Sequence, residues 1–348
     1  WVDLRPAEAR EIEPGVFVVP REEKASRPDW IAARFGLGEA PAASGAPALW
    51  PSAGRPPLAV QTGCDNRCAY CVIPLARGPS VSRPAAEVLP ELAAFFDGKV
   101  AEVVLSGINL GAWGRDLRPR AKLADLLAAL LEATPPGRRL RLGSVEPETV
   151  DDDLLALLGH PRLAPHLHVP LQGTTDATLA AMRRPNRTTG FLDLLAAARR
   201  RAPGIAVGSD VIAGFPGETG EAFSDGLTFV EACGFSYLHV FPFSPRPGTL
   251  AATLPGLPAA VVKARAAALR TLAERLRGAF LEGQAGRIVR VAVETVLPDG
   301  RFTGMAGPFF PVRFAAPGAD PSRLIEVCCD RRSPDGWEGD PPCAPSAT

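Results

Sequence analysis

From Leu58 to Glu282 the chain alternates short apolar runs suited to strands with longer runs whose apolar residues recur at helical spacing. The strand-like runs are "LAVQTG", "AEVVLSG", "RRLRLGS", "HLHVPLQ", "IAVGSDVIAGF" and "FSYLHVFPFS". Helical periodicity follows each of them, near 84–97, 120–133, 151–159, 175–183 with 190–201, 218–233 and 258–282. Apolar strands joined by helices imply a parallel sheet covered by helices, and six such units suit a full or partial barrel of the α/β class. In such a barrel the chemistry belongs in the loops that follow the strands.

The texture changes near Gly286. "RIVRVAVETVLPDGRFTGMAGPFFPVRF" and "SRLIEVCC" are β-rich and lack helical periodicity, so residues 282–332 are expected to form a small β-barrel. Residues 333–348, dense in Pro, Gly and charge, read as a disordered tail, and "APAASGAPALWPSAGRPP" at 40–57 reads as a linker. The expected division is therefore 1–57, 58–281, 282–332 and 333–348. At 348 residues the chain exceeds what one core usually serves. Lys plus Arg equals Asp plus Glu at 38 each, so net charge gives no argument for a polyanionic partner. Apolar stretches fall short of a membrane span and no signal segment opens the chain, so the default expectation is a cytoplasmic protein with no membrane partner.

Three of the seven cysteines fall within eight residues, "CDNRCAYC", directly after the first strand. That crowding is unlike a disulfide framework and suits a metal site of reduced thiols. A structural zinc site calls for a fourth ligand, and no second CxxC or HxxxH pair follows. An iron–sulfur cluster on Cys64, Cys68 and Cys71 would leave one iron without a protein ligand and open to a small molecule. Cys233 reads as a buried small hydrophobe and Cys343 as a terminal thiol. Cys328 and Cys329 read as packing residues, with a redox or metal role as the other reading.

CxxxCxxC with an aromatic before the last cysteine resembles the cluster motif of radical S-adenosylmethionine enzymes. "CVIPLARGPSVSRP", "LSGINLGAWGRD", "LGSVEPETV", "HLHVPLQGTTDATLAAMRRPNRT", "SDVIAGFPGETGEAF" and "LHVFPFSPRPGT" together resemble the tRNA methylthiotransferases, and "SGINLG" is most similar to the branch acting on threonylcarbamoyl-adenosine beside the anticodon. The resemblance covers roughly residues 58–330. It implies a partial (β/α)6 radical S-adenosylmethionine barrel followed by a small RNA-binding β-barrel of the TRAM type. It also implies a [4Fe-4S] cluster on the three cysteines, with its open iron chelated by S-adenosylmethionine. Around that cofactor it places Tyr70, Gly107, Asn109, Ser144, Glu146, Gln172, Arg183, Gly214, Pro216, Gly217 and Glu218. A plain turn, surface-loop or packing role is the alternative at each of these positions.

Partners implied by the resemblance are tRNA and a reductant such as flavodoxin or ferredoxin, with the chain a monomer. Arg77, Arg83 and the arginines of "RRPNR", 199–201 and 263–277 could offer an RNA surface or simple solvated faces, and acids and bases nearly balance within 282–332. Family members also hold a second [4Fe-4S] cluster on three further cysteines in an N-terminal domain. No cysteine precedes Cys64 and the first residue is Trp1, so the expectation is a chain lacking most of that domain. "GTTD" at 173–176 departs from the more usual "SGSD", which touches only local turn geometry. The expected function is methylthiolation of threonylcarbamoyl-adenosine in tRNA. Two alternatives stay open: radical chemistry without sulfur insertion, and a non-catalytic RNA-binding protein with a structural metal site.

Overall fold

The computed structural model describes residues 10–13, 16–18 and 54–342, the first two segments by their backbone alone. These two, β1 (Arg10–Glu13) and β2 (Val16–Val18), pair as an antiparallel hairpin. Six parallel strands then follow in chain order: β3 (Pro57–Thr62), β5 (Glu102–Gly107), β6 (Arg139–Leu142), β7 (His166–His168), β8 (Ala206–Ala213) and β9 (Tyr237–Pro242). Ladders join β3, β5 and β6, and likewise β7, β8 and β9; the bridges Leu140↔Leu163 and Ser144↔His168 connect the two groups. A two-residue strand, β4 (Val81–Ser82), adds antiparallel to the free edge of β3. All six strand–helix units expected from the periodicity are present, as a partial barrel.

Local chemistry sets where the covering helices begin and end. Asp151, Thr175 and Thr219 each accept a hydrogen bond from the backbone N–H three residues on, capping the helices Asp152–Leu157, Asp176–Ala181 and Gly220–Cys233. The last of these ends at Gly234 in the left-handed conformation. Alternation along each strand divides the barrel wall. Leu58, Val60, Val103, Leu105, Leu140, Leu142, Leu167, Val169, Val207 and Val211 are fully buried and join the main core, together with residues of the helices such as Leu92, Leu127 and Leu195. Each such side chain contributes about 1.5–3 kcal/mol by leaving water. Cys233 belongs to this core, and burial pushes its thiol up to about 12, in keeping with a packing role.

The alternate residues, turned to the other side of the wall, include a set of charges at the N-terminal ends of β5 and β6. Glu102, fully buried, accepts from Arg141 Nε at 2.7 Å, from Arg139, and from Arg55 at 3.3 Å. The two buried arginines donate onward to carbonyl oxygens of the C-terminal region: Arg139 to Arg290 and Met305 at 2.6 and 2.9 Å, Arg141 to Ala306 and Gly307, both at 3.0 Å. Arg55, within the stretch expected to be a linker, also pairs with Glu294 at 2.7 Å. A charged knot thus fastens the second domain to the end of the barrel opposite the cysteines.

That domain follows the helix Ala259–Glu282 and contains β10 (Ile288–Val296), β11 (Phe302–Ala306), β12 (Pro311–Phe314), β13 (Ile325–Cys328), β14 (Arg331–Arg332) and β15 (Trp337–Gly339). Their order is β13-β10-β11-β12-β15-β14, and the Cys328 N–H donates to Asp340 O, so the sheet curls toward closure. Its core holds Val291, Phe310, Val312, Phe314, Val327, Cys329 and Trp337. The expected boundary at 332 is too early. Residues 333–336, "SPDG", form the turn between β14 and β15, and Trp337 is buried with Nε1 donating to Leu281 O at 3.0 Å. Cys343 and residues 343–348 lie outside the described residues, as do most of residues 1–53. No helix among the described residues is long and apolar enough to cross a membrane.

Candidate active site

The loop after β3 carries the three cysteines, and its shape is imposed at both ends. Gly63 has φ +72°, and a Cβ there would collide with the Pro79 carbonyl oxygen, so only glycine fits. The Cys64 N–H donates to Gly78 O at 3.0 Å, closing the loop on itself. Gln61, at the end of β3, ties the loop to its neighbours: its Nε2 donates to Gly63 O and Ser80 Oγ, both at 2.8 Å, and its Oε1 accepts from the Asn109 N–H at 2.9 Å. In the middle of the loop, the Ala69 N–H donates to Met182 O and its carbonyl accepts from the Ala251 N–H. Ala69, Met182, Phe215 and Ala251 form a small apolar cluster beneath it, with Tyr70 packed against it.

The cysteine sulfurs do not gather tightly enough for one ion. Among the described residues, the groups whose ligand atoms lie within 4.8 Å of one another do not include this triplet, whereas sulfurs around a single zinc, at about 2.3 Å each, would stand nearer than 4 Å apart. The wider spacing suits a polynuclear cluster. All three thiols are partly exposed, and burial pushes those of Cys64 and Cys71 up, a bias that metal binding would oppose.

Of the residues expected after the other strands, Asn109 and Glu146 are brought to the cysteine loop, the second through Arg184. Asn109, two residues beyond Gly107 at the end of β5, is buried; its Nδ2 reaches Cys64 Sγ at 3.6 Å, and its Oδ1 is buried without a partner. Ser144, exposed, and Glu146 follow β6. Gln172, four residues past β7, adopts φ +67°, donating through its N–H to Asp210 O and accepting at its carbonyl from the Ile212 N–H. Gly214 to Glu218 follow β8, with Pro216 buried and Gly217 exposed at φ +83°. Tyr70 has its hydroxyl proton held by burial.

Two expectations change on inspection of the side chains. Arg183 is exposed and sits at φ +57° in the left-handed turn that ends the helix Asp176–Ala181; the Arg184 N–H then bonds Leu179 O, and Arg184 turns inward. Arg184, buried, pairs with Glu146, donates to Pro170 O at 3.1 Å and lies 3.9 Å from Cys68 Sγ. The guanidinium at the site is therefore Arg184. Glu218 is buried with its carboxylate already engaged, accepting from the Gly214 N–H at 3.1 Å and from Arg265 at 2.7 Å, so it fastens its own loop to the helix Ala259–Glu282. We expect Arg184→Ala to cost about 1–3 kcal/mol, because it leaves the Glu146 carboxylate without its cation, while Arg183→Ala stays within about 0.5 kcal/mol. Thermal unfolding of the two variants side by side checks the assignment.

The arginines read as possible RNA contacts divide as well. Arg83 donates to Ala59 O at 2.6 Å and pairs with Glu91 at 2.7 Å, and Arg199 donates to Cys233 O, so both serve the fold, whereas Arg77 is exposed. In the C-terminal sheet, Arg301 and Arg313 share Asp299, and Arg331 pairs with Glu338.

Residues 58–230 match the Radical SAM superfamily. This segment is a radical SAM domain. Its boundaries enclose the triplet and every strand-end loop described above as far as Glu218. Over 288 residues, 81% of the chain, the sequence is 37% identical to the tRNA-2-methylthio-N(6)-dimethylallyladenosine synthase of Cereibacter sphaeroides, and over 240 residues, 68% of the chain, 38% identical to the synthase of the same name from Novosphingobium aromaticivorans. The chain spans 64% of the length of the first relative and 54% of the second. Among solved structures, a radical S-adenosylmethionine methyltransferase from Kitasatospora setae aligns with a TM-score of 0.49 at 19% identity, covering 57% of this chain and 39% of that one. The cofactors of the radical SAM domain are a [4Fe-4S] cluster and S-adenosylmethionine. The donor set fits them: three thiols that are not all within 4.8 Å of one another, an orphaned amide oxygen on Asn109, and a guanidinium and a carboxylate beside them.

Proposed function

We propose that this chain carries the radical-generating barrel of a tRNA methylthiotransferase acting on an N6-modified adenosine. The observation that carries the reading is the convergence of Cys64, Cys68 and Cys71 with Asn109, Glu146 and Arg184 at the C-terminal mouth of the barrel. The names of the relatives support the substrate class. They are named for the dimethylallyl derivative and lend no support to the threonylcarbamoyl-adenosine expectation, which rests on "SGINLG" alone.

In this reading Cys64, Cys68 and Cys71 would hold the cluster, leaving one iron that would be open to S-adenosylmethionine. Bound together, these cofactors supply a 5′-deoxyadenosyl radical on one-electron reduction, and a second S-adenosylmethionine supplies methyl. The protein's part is placement and exclusion of water. Arg184, held by Glu146, offers positive charge to the cofactor carboxylate in the role expected of Arg183. Asn109 Oδ1 accepts from the cofactor's ammonium or ribose. Gly107, Ser144 and Gln172 line the mouth, Tyr70 closes one side, and Gly214, Pro216 and Gly217 present backbone to the adenine while Glu218 holds that loop. The curled C-terminal sheet serves as a TRAM-like RNA-binding module. The chain works in the cytoplasm as a monomer, with electrons from a flavodoxin or ferredoxin.

The test is anaerobic reconstitution with iron and sulfide, followed by dithionite, S-adenosylmethionine and tRNA bearing either the dimethylallyl or the threonylcarbamoyl adenosine. Expected are about four irons per chain, release of 5′-deoxyadenosine, and, with inorganic sulfide kept in the assay as the sulfur source, a methylthio-nucleoside in the digest of the dimethylallyl tRNA. Cleavage with unmodified nucleosides would support radical chemistry without sulfur insertion; a chain that binds tRNA but takes up no cluster would leave only the structural reading.

A further inference from the structure

Three of the chain's four histidines lie on β7 and β9, and no cysteine belongs to the group that two of them form with Asp210. His166 and His168 lie two apart on β7 and share one face, Asp210 interrupts the apolar run of β8, and Tyr237 and His239 lie two apart on β9. The β8–β9 register sets Asp210 opposite His239. His168 Nε2 stands 3.1 Å from Asp210 Oδ2 and His239 Nδ1 stands 3.0 Å from Asp210 Oδ1; a ligand atom from each of the three lies within 4.8 Å of the others. No other such group occurs among the described residues.

We propose that His168, Asp210 and His239 form a second metal site, separate from the cysteine loop, for a divalent transition ion of the zinc class. The spacing is close. Nitrogen and oxygen donors at about 2.0–2.2 Å from a tetrahedral ion stand about 3.4 Å apart, so the 3.1 and 3.0 Å separations at Asp210 need open by only a few tenths of an ångström to admit one. Two imidazoles and one carboxylate suit zinc or ferrous iron, and contain too few oxygens for magnesium or calcium.

The surroundings have the features of a ligating histidine. His168 Nδ1 is held at 2.9 Å by Tyr237 Oη, which in turn stands 2.8 Å from His166 Nε2, so Nε2 of His168 is aimed at Asp210 by partners behind it. Tyr237 is fixed by packing against His166 and Phe309. His168 and His239 each engage a different Asp210 oxygen, so the carboxylate is oriented from both sides. On the open side His239 is half exposed at 54% and borders a cavity of about 400 Å³ lined also by Tyr237, Arg277, Met305 and Phe309. An ion has a path in, and room remains for an exchangeable fourth ligand. The rival account is a hydrogen-bonded His–Asp–His chain that takes no ion, and the two differ in a measurable way.

The experiment uses the full chain with its iron–sulfur cluster loaded first, so that the thiolates are occupied, followed by equilibrium dialysis against zinc with separate iron and zinc analysis. Expected are one zinc per chain and an absorption-edge fine structure with nitrogen and oxygen at about 2.0–2.1 Å and no sulfur shell at about 2.3 Å. His168→Gln and His239→Gln each weaken zinc at least about 100-fold, and Tyr237→Phe about 10-fold, with iron unchanged. His239, being half exposed, is the variant least apt to disturb folding. Zinc that does not bind, that is retained equally by both histidine variants, or that shows a sulfur shell overturns the site. The iron analysis in the same samples reports on the cysteine cluster independently, so failure of one reading is distinguishable from failure of the other.

Discussion

Cys64→Ala, Cys68→Ala and Cys71→Ala each yield a protein with native unfolding behaviour, no bound cluster and no 5′-deoxyadenosine. None of the three thiols belongs to a core, and the loop's closure depends on backbone bonds at Cys64, Ala69 and Gly78 and on the Gln61 amide, none of which a thiol deletion removes. The loss of function is nearly complete because three ligands are already one fewer than a closed site uses. Altering an outer partner of a metal ligand commonly lowers metal affinity by about 10–100-fold, and removing the ligand itself does more. Iron and sulfide analysis with an anaerobic cleavage assay checks this. A Cys variant that keeps four irons and cleaves S-adenosylmethionine would move the cluster elsewhere. Asn109→Ala is the milder companion: the loop stays closed through Gln61 and the cluster is retained, while S-adenosylmethionine binds more weakly.

The barrel was legible because each strand buries its outward residues under a helix, so Leu58 and Val60, or Val103 and Leu105, print the β period between helical stretches. The site was legible for a related reason: parallel strands of one hand place their following loops at one end, and "CDNRCAYC", Asn109, Glu146 and Gln172 each occur within a few residues of a strand's close. What escaped was information carried between distant segments. Which of Arg183 and Arg184 enters the site depends on a single left-handed residue at the end of a helix, and neighbouring arginines look alike in sequence. His168, Asp210 and His239 are separated by about seventy positions and become a group only through the β7–β8–β9 register. A signal existed in the polar residues at alternate positions of apolar strands, "HLH", "SDV" and "YLHVF". At the other end of the chain, "SPDG" has the composition of a tail, and is a turn because Trp337 beyond it has a core to enter.

The same alternation explains the largest expected stability effect, at Glu102. Arg139 and Arg141 project from β6 into a place with little exposure, where each guanidinium needs a carboxylate, and Glu102 serves both. Burial works against the Glu102 charge, but the guanidinium groups of Arg139 and Arg141 outweigh it and hold the carboxyl well below the usual range. Glu102→Gln keeps the shape and removes the charge, leaving two buried cations with only carbonyl partners, so the unfolding free energy at neutral pH should fall by about 3–5 kcal/mol. The pH dependence has a definite sign. A carboxyl whose folded pKa is depressed contributes stability above its unfolded pKa of about 4.3, and that contribution is lost as the pH falls from there toward the folded value. Urea unfolding at pH 7 and near pH 3 should therefore show the parent losing more stability than Glu102→Gln over that interval. Because Arg139 and Arg141 also grip the carbonyls of Arg290, Met305, Ala306 and Gly307, the weakened knot should free the C-terminal sheet first. Limited proteolysis of Glu102→Gln is expected to cut between the helix Ala259–Glu282 and β10 while the barrel core stays intact. Replacing Glu102, Arg139 and Arg141 together with Met, Leu and Leu removes the uncompensated charge, and should restore part of the unfolding free energy without restoring the attachment of the sheet.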